Sequence, residues 1–495
     1  MRLKLFSCAA ALGAMAGFVT AQTTATNSAG FSVSPETREA VQRLIGDSVL
    51  NGKAYDYDEY LADMIGPRLT GSANFMRAAQ WAEQQFRELG LANVHTEEWT
   101  IPATWEPDGP AVGRIVSPVD HVLHIYSVGW SPSTPPGGIS GNVVYVQSIA
   151  AEALDAQKAQ IAGAIALVDA ASRGTKPTVQ SILAGYEHLV SLAPAAIVTT
   201  GIANGAESQG AMSFSGKITA MPVAQVGLED SLLIKRLLAS GPVSMQFSLK
   251  NRIRTDVKIP NVIAEIPGGE FPDQVVAIGA HLDSWEPGTG AQDNGTGAAS
   301  VLEAARAIKA LNRPPRRTVR FILFSGEEEG LLGSNAYVQQ HQGDLAKIDA
   351  VLVTDSGAEP AKGWSLEARE DEKSPMATIG PLLAGLGAVD ISTNTGDIFS
   401  TDHAAFDVSG VPTLVLWTAG DKYRTLHHKA SDTFDSVVQK DLTQGSTVVT
   451  VTAYAIADSR EPFATHSSAD DVRAMLEKSG DWDGYTYLKQ IGALP

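Results

Sequence analysis

From residue 256 onward the chain alternates short apolar runs with helical stretches, and no other feature limits its fold so strongly. The runs are VKIPNVIAEIPG, QVVAIGAHLD, TVRFILFSGEEEG, KIDAVLVTDSGAE and VPTLVLW. Several are apolar without a break, which is the pattern of a strand buried on both faces. Between them lie helical segments such as GAASVLEAARAIKAL and LGSNAYVQQHQGDL. This alternation predicts an α/β/α sandwich around a mixed, mostly parallel sheet. In such folds the chemistry collects beyond the carboxyl ends of the strands.

Acids and imidazoles fall at those ends. His281 and Asp283 follow VVAIGA, and Asp293 follows a glycine-rich loop, all within GAHLDSWEPGTGAQDNGTG. Glu327, Glu328 and Glu329 follow TVRFILFSG, Asp355 follows DAVLVT, and His428 lies in HHKASDT beyond LVLW. Each residue alone reads as a turn, cap or solvated position. Together they form a set of imidazoles and carboxylates, the donors that suit divalent zinc. Two ions about 3.5–4 Å apart need one bridging ligand, which a carboxylate can be. A carboxylate left off the metals can serve as general base. Adjacent residues at a strand end diverge, so Glu327 and Glu328 can do different jobs. No GK[ST] follows the glycines and FSGEEEG is no G-x-S-x-G elbow, so neither a phosphate loop nor a serine nucleophile competes. Asn294-Gly295-Thr296 fits a glycosylation acceptor, but a glycan there would block the site.

Upstream the texture differs. Residues 22 to 35 are rich in Thr, Ser and Asn and read as a leader. Helical patterns follow in EAVQRLIGDSVL, EYLADMIGPRL and ANFMRAAQWAEQQFRELGL, and VHTEEWTIPATW alternates like a strand. Between about 110 and 255, short β-rich runs such as GNVVYV and GAIALVDA are separated by Gly and Pro. Two helical stretches, AAEALDAQKAQIAG and EDSLLIKRLLASG, interrupt them. This predicts a compact inserted domain without a metal-type cluster. The expected division is a signal segment 1–21, an N-terminal part 22–115 of the main domain, an insert 116–254, and the rest of the main domain 255–495.

Composition narrows the function. Asp and Glu outnumber Lys and Arg 55 to 37, which disfavours nucleic acid and anionic membrane surfaces as partners. Arg2 and Lys4, the apolar LFSCAAALGAMAGFV and the small residues before Gln22 read as a secretory signal cleaved after Ala21. A secreted or periplasmic location follows. No later run approaches the roughly 20 apolar residues of a membrane span. Cys8 is the only cysteine. Once the signal is removed, thiol catalysis, disulfides and Cys-based zinc sites are excluded.

The motifs GAHLDS, GAQDNGTG, FSGEEEGLLGS, TDSG, STDHAAFDVSGVP and HHKASDTFD resemble the dizinc aminopeptidase family that also contains glutamate carboxypeptidases. The plasma glutamate carboxypeptidase (carboxypeptidase Q) branch is the nearest likeness, and GPRLTGS and a protease-associated insert resemble it too. The resemblance spans nearly the whole mature chain. It implies two zinc ions bridged by Asp293. One would also take His281 and Asp355, the other Glu328 and His428, with Glu327 as general base. It implies that Asp283 orients His281, that Glu329 is the variable position of the motif, and that the Asp293–Asn294 peptide is cis. His427, Tyr423, Asp402 and His403 are its substrate-binding candidates, with His427 or Tyr423 steadying the oxyanion.

The chain is thus expected to be a secreted exopeptidase acting on dipeptides or short peptides with free termini, whether aminopeptidase, dipeptidase or carboxypeptidase. A homodimer is compatible with this. The competing readings are a catalytically silent binding protein on the same fold and a single-zinc, glutaminyl cyclase-like acyltransferase. Retention of the whole ligand set and the base argues against both.

Overall fold

The computed structural model describes residues 30–174, 178–201, 215–367, 369–393, 398–490 and 494. The expected signal segment and Cys8 lie outside the described residues. The main sheet has eight strands: β1 (Ala92–Pro107), β2 (Asn251–Ile266), β3 (Phe271–His281), β4 (Arg317–Phe324), β5 (Ile348–Val353), β6 (Ala361–Ser365), β7 (Asp390–Ser392) and β8 (Thr413–Thr418). Their order is β1-β2-β4-β3-β5-β8-β6-β7. The centre is parallel, through the pairs β4–β3, β3–β5 and β5–β8. The β1–β2, β2–β4 and β8–β6 pairs are antiparallel. The sheet is therefore mixed, with the unbroken apolar runs in its central parallel strands and a further parallel pair, β6–β7, at one edge.

Those runs are unbroken because both faces are covered. Along β3, Val276, Ile278 and Ala280 pack into one core with Ala298, Val301, Leu302 and Ala305 of the helix Thr296–Ala310. Val275 and Ala277 face the other way, into a core with Tyr337, Val338 and Phe406. Side chains alternate across a strand, so each face takes every second residue. The helices Pro35–Asn51, Ala73–Glu88 and Gln439–Ala457 add to the first layer. This is the α/β/α sandwich the alternation predicts.

A second eight-stranded sheet lies between β1 and β2 in sequence. Its strand order is His121–Val122, Val112–Ser117, Ser244–Ser248, Ile139–Tyr145, Ile165–Val168, Ala196–Thr200, Val223–Val226 and Ile125–Ser127. The expected limits of 116 and 254 differ from this. Residue 116 falls inside the strand Val112–Ser117, and 254 falls inside β2. β1 and β2 run on as a paired ribbon to Pro107 and Asn251, so the second sheet occupies Val112–Ser248. The insert also carries a third helix, Val179–Ser191, whose N-terminus is closed by a reciprocal Thr178–Ser181 capping box.

Phe321 on β4 is fully buried and its ring lies 6.2 Å from that of Phe86. Phe321→Ala should destabilise the main domain by about 3–5 kcal/mol. A lowered denaturation midpoint by circular dichroism is the expected result.

Candidate metal centre

The parallel register brings the sequence-predicted residues to one edge. His281 ends β3 and is paired with Phe324, the last residue of β4, two residues before Gly326 and Glu327 begin the turn. Val353 ends β5 opposite Gly279, and Asp355 lies just beyond it. Asp293 sits in an irregular turn before the helix Thr296–Ala310, joined to Asn294 by a cis peptide. His427 and His428 follow the short helix Asp421–Leu426 beyond β8.

Asp293 lies between two groups of donors. Its Oδ1 is 3.4 Å from Nε2 of His281, which is also 3.4 Å from Oδ1 of Asp355. Its Oδ2 is 3.4 Å from Nε2 of His428 and 3.5 Å from Nε2 of His427. Oε2 of Glu328 is 2.9 Å from Nε2 of His428. Within each trio, His281–Asp293–Asp355 and Asp293–His427–His428, the donor atoms all lie within 4.8 Å of one another. The His427 and His428 rings stack at 3.7 Å.

These distances leave polar atoms without partners. His281 Nε2, Asp293 Oδ2 and Glu328 Oε1 are buried and accept or donate no hydrogen bond. Nδ1 of His281 is 3.0 Å from the Asp283 carbonyl oxygen, which can only accept. Nδ1 therefore carries a proton, and in the neutral ring the lone pair is on Nε2, facing two carboxylates. Burial opposes charge on this ring, but the carboxylates of Asp355, Glu327 and Asp293 outweigh it and push its pKa well above the usual value. Lone pairs converging in a buried space need a proton or a cation between them. Burial pushes the Glu327 and Glu328 carboxyls well above the usual range, with the surrounding acids adding to it. Burial also opposes charge on Asp293, but the neighbouring imidazoles of His281, His427 and His428 outweigh it and hold its carboxyl below the usual range. His428 is lowered by burial, which favours the neutral ring a metal requires. The donor set fits zinc.

The glycines of the loop work by close approach. Gly290 has φ +64°, and a Cβ there would stand 2.2 Å from Cβ of Ser284. A Cβ on Gly297 would stand 2.5 Å from the Thr354 carbonyl oxygen. Asn294 bridges the same gap, donating from Nδ2 to that carbonyl at 2.9 Å. The Asp293 turn is thereby tied to the end of β5.

Two further residues hold the turn, and sequence patterns did not single out their roles. Asp432 accepts the amides of Gln292 at 2.7 Å and Asp293 at 3.1 Å. Arg68 is fully buried and donates to the carbonyls of Leu282 at 2.9 Å, Thr289 at 2.8 Å and Gly290 at 2.7 Å. It clips both ends of the 282–290 loop. Its position within GPRLTGS was the one available signal.

Other expected residues differ in what they do. The carboxylate of Asp283 is not the hydrogen-bond partner of His281: its Oδ1 is 3.9 Å from Nδ1, and the backbone carbonyl takes the bond instead. Its Oδ2 accepts from Thr70 at 3.0 Å and from the Glu328 amide at 3.2 Å, fastening the β4 turn. Glu329 is fully buried in the main domain. Tyr423 and His427 line a cavity of about 490 Å³ together with Asp293, Glu327, Glu328, Asp355 and His428. Tyr423 donates its hydroxyl to Oδ1 of Asp355 at 3.2 Å. Asp402 and His403 do not line it; they are fully buried, and the wall there is made by Phe399, Ser400 and Thr401. Burial raises Asp402 to about 7 and lowers His403 to about 4, so both resist carrying charge.

The profile of peptidase family M28 matches residues 261–453, the stretch that supplies all the donors above. Carboxypeptidase Q of Mus musculus is 30% identical over 413 residues, covering 83% of this chain and 86% of that protein. The human carboxypeptidase Q is 29% identical over the same shares. Among solved structures, a peptidase M28 precursor from Shewanella amazonensis superposes with a TM-score of 0.75 at 28% identity, covering 88% of this chain and 99% of that one. A zinc aminopeptidase from Bacillus subtilis shares the fold, with a TM-score of 0.65 at 22% identity over 84% of this chain and 96% of that one. Sequence likeness along most of the chain and the shared architecture agree, and the chain belongs to peptidase family M28 as a metallopeptidase.

Proposed function

We propose that the protein is an exopeptidase that hydrolyses dipeptides or short peptides with free termini, using two zinc ions. The observation that carries this reading is the division of Asp293, with one carboxylate oxygen in each of two donor groups. A single-zinc acyltransferase would need only one of them. His281, Asp293 and Asp355 would hold one ion, and Asp293, Glu328 and His428 the other. His427 lies 3.5 Å from Asp293, so it is either a further ligand or, with Tyr423, a donor toward the substrate oxyanion. The aminopeptidase and carboxypeptidase names of the relatives support exopeptidase chemistry. The segment 1–21 supports a secreted or periplasmic location, and the Val112–Ser248 sheet fits a protease-associated domain.

Bound zinc supplies a Lewis acid and brings the pKa of a water to roughly 7. The chain's own groups do the rest. Glu327 lies in the cavity wall beside the donors, where its carboxylate takes the proton from the attacking water and returns it to the leaving amine. Tyr423, already donating a hydrogen bond toward the centre, can turn its hydroxyl to the developing oxyanion. Asp432 and Arg68 keep the Asp293 turn in place.

Two outcomes test this. Glu327→Gln should retain zinc and melting temperature but lower kcat/KM on a dipeptide by about 10²–10⁴. Substantial residual activity would refute the general-base role. Asp432→Ala should weaken zinc affinity about 10–100-fold, read by competition with a chelator, since it frees the Gln292 and Asp293 amides.

A further inference from the structure

The cavity has a second, apolar part to its wall. Leu331, Phe399 and Val415 contribute to it, and so do Leu488 and Leu494, from a segment that lies far beyond the family-matched residues. Leu488 is on the helix Trp482–Gln490. Leu488 and Leu494 are 7% and 5% exposed and share one apolar cluster with Phe399, Tyr485 and Leu183. Leu183 belongs to the helix Val179–Ser191 of the insert. The segment is thus held between the insert and the loop that edges the metal centre. It is anchored at its start, where the Arg473 guanidinium lies 4.9 Å from the Trp482 ring centre.

A segment that reaches a reactive cavity can either plug it or wall it. Here about 490 Å³ remains open with both leucines already in place, a volume within the range of small-ligand sites. That is a wall. The acids and imidazoles of the metal centre supply the polar part of the lining, and these leucines with Phe399 supply an apolar surface for a side chain.

We propose that the helix Trp482–Gln490, through Leu488, forms with Leu494 a specificity-determining wall of the hydrolytic site, selecting substrates whose side chain seated against Leu488, Leu494 and Phe399 is apolar. This rests on the reading of the cavity as an exopeptidase site. This wall does not take part in the chemistry. It sets which peptides are hydrolysed well, and the contact with Leu183 makes the insert a support for that choice.

The test uses the full-length zinc-loaded protein and a panel of dipeptides carrying Leu, Phe, Ala, Lys or Asp at each position in turn. Wild type should favour Leu and Phe over Asp at one position. The Leu488→Ala/Leu494→Ala double variant should lose roughly tenfold of that preference, while kcat/KM for the Ala peptide stays within about twofold. Leu488→Met, which conserves volume, should keep the wild-type preference. Leu494→Lys should move the preference toward Asp. An equal fall on every peptide, or an unchanged Leu/Asp ratio in both the double variant and Leu494→Lys, would overturn the proposal while leaving the exopeptidase reading intact. Failure of wild type to cleave any dipeptide would overturn both.

Discussion

One carboxylate, that of Asp293, sets the geometry of the whole centre. Its two oxygens lie 3.4 Å from imidazoles on opposite sides, His281 at the end of β3 and His428 beyond β8. A carboxylate is rigid and planar, so both donor groups stay in register only if its backbone is fixed. That fixing is supplied from distant parts of the chain: the Asp432 carboxylate on two amides, Arg68 on the carbonyls at either end of the preceding loop, and Asn294 on the carbonyl of Thr354. The cluster so assembled holds more buried carboxyls than burial alone tolerates. Desolvation and mutual repulsion push Glu327 and Glu328 toward the neutral form. Divalent cations relieve the same repulsion, which is why the arrangement suits a metallopeptidase and would suit a metal-free binding protein poorly.

The sheet explains why these residues could be found in the sequence. A strand buried on both faces reads as an unbroken apolar run, and the first polar residue after it marks the strand's carboxyl end. His281, Glu327 and Asp355 were legible on that basis, and a parallel sheet guarantees that such ends share one edge. The bridging position of Asp293 and the choice between the two histidines were legible only through likeness to a known family. The supporting bonds left no mark. Asp432 reaches the Asp293 amide across 139 positions of sequence, and a bond to a main-chain amide asks for no particular residue at the other end. The same reason hid the Asp283 carbonyl behind its carboxylate: any residue has a carbonyl, so nothing in HLD reveals which oxygen His281 uses. Asp402 and His403 misled because a motif gives proximity to a site without giving the direction of the side chain.

The insert was legible as a separate texture but not at its edges. The long β1–β2 ribbon carries main-domain pairing out to Pro107 and Asn251. Pro107-Asp108-Gly109-Pro110 marks the crossing into the insert, but on the return only Leu249 and Lys250 separate the last insert strand from β2, with no Gly or Pro between them. Its third helix, SILAGYEHLV at its centre, sits between β runs and lacks a flanking charge pattern that would separate it from them. That helix matters more than its sequence suggests, because Leu183 touches the apolar cluster that walls the reactive cavity. Core packing, insert and metal centre thus meet at one cavity.

The most direct test is the metal stoichiometry of the purified protein, measured by elemental analysis on wild type, Asp293→Ala and His428→Ala after saturation with zinc and removal of excess. The account predicts two zinc ions per chain in wild type, loss of both when Asp293 is removed, and loss of one when His428 is removed. One zinc per chain in wild type, or an Asp293→Ala variant that keeps both ions, would contradict it.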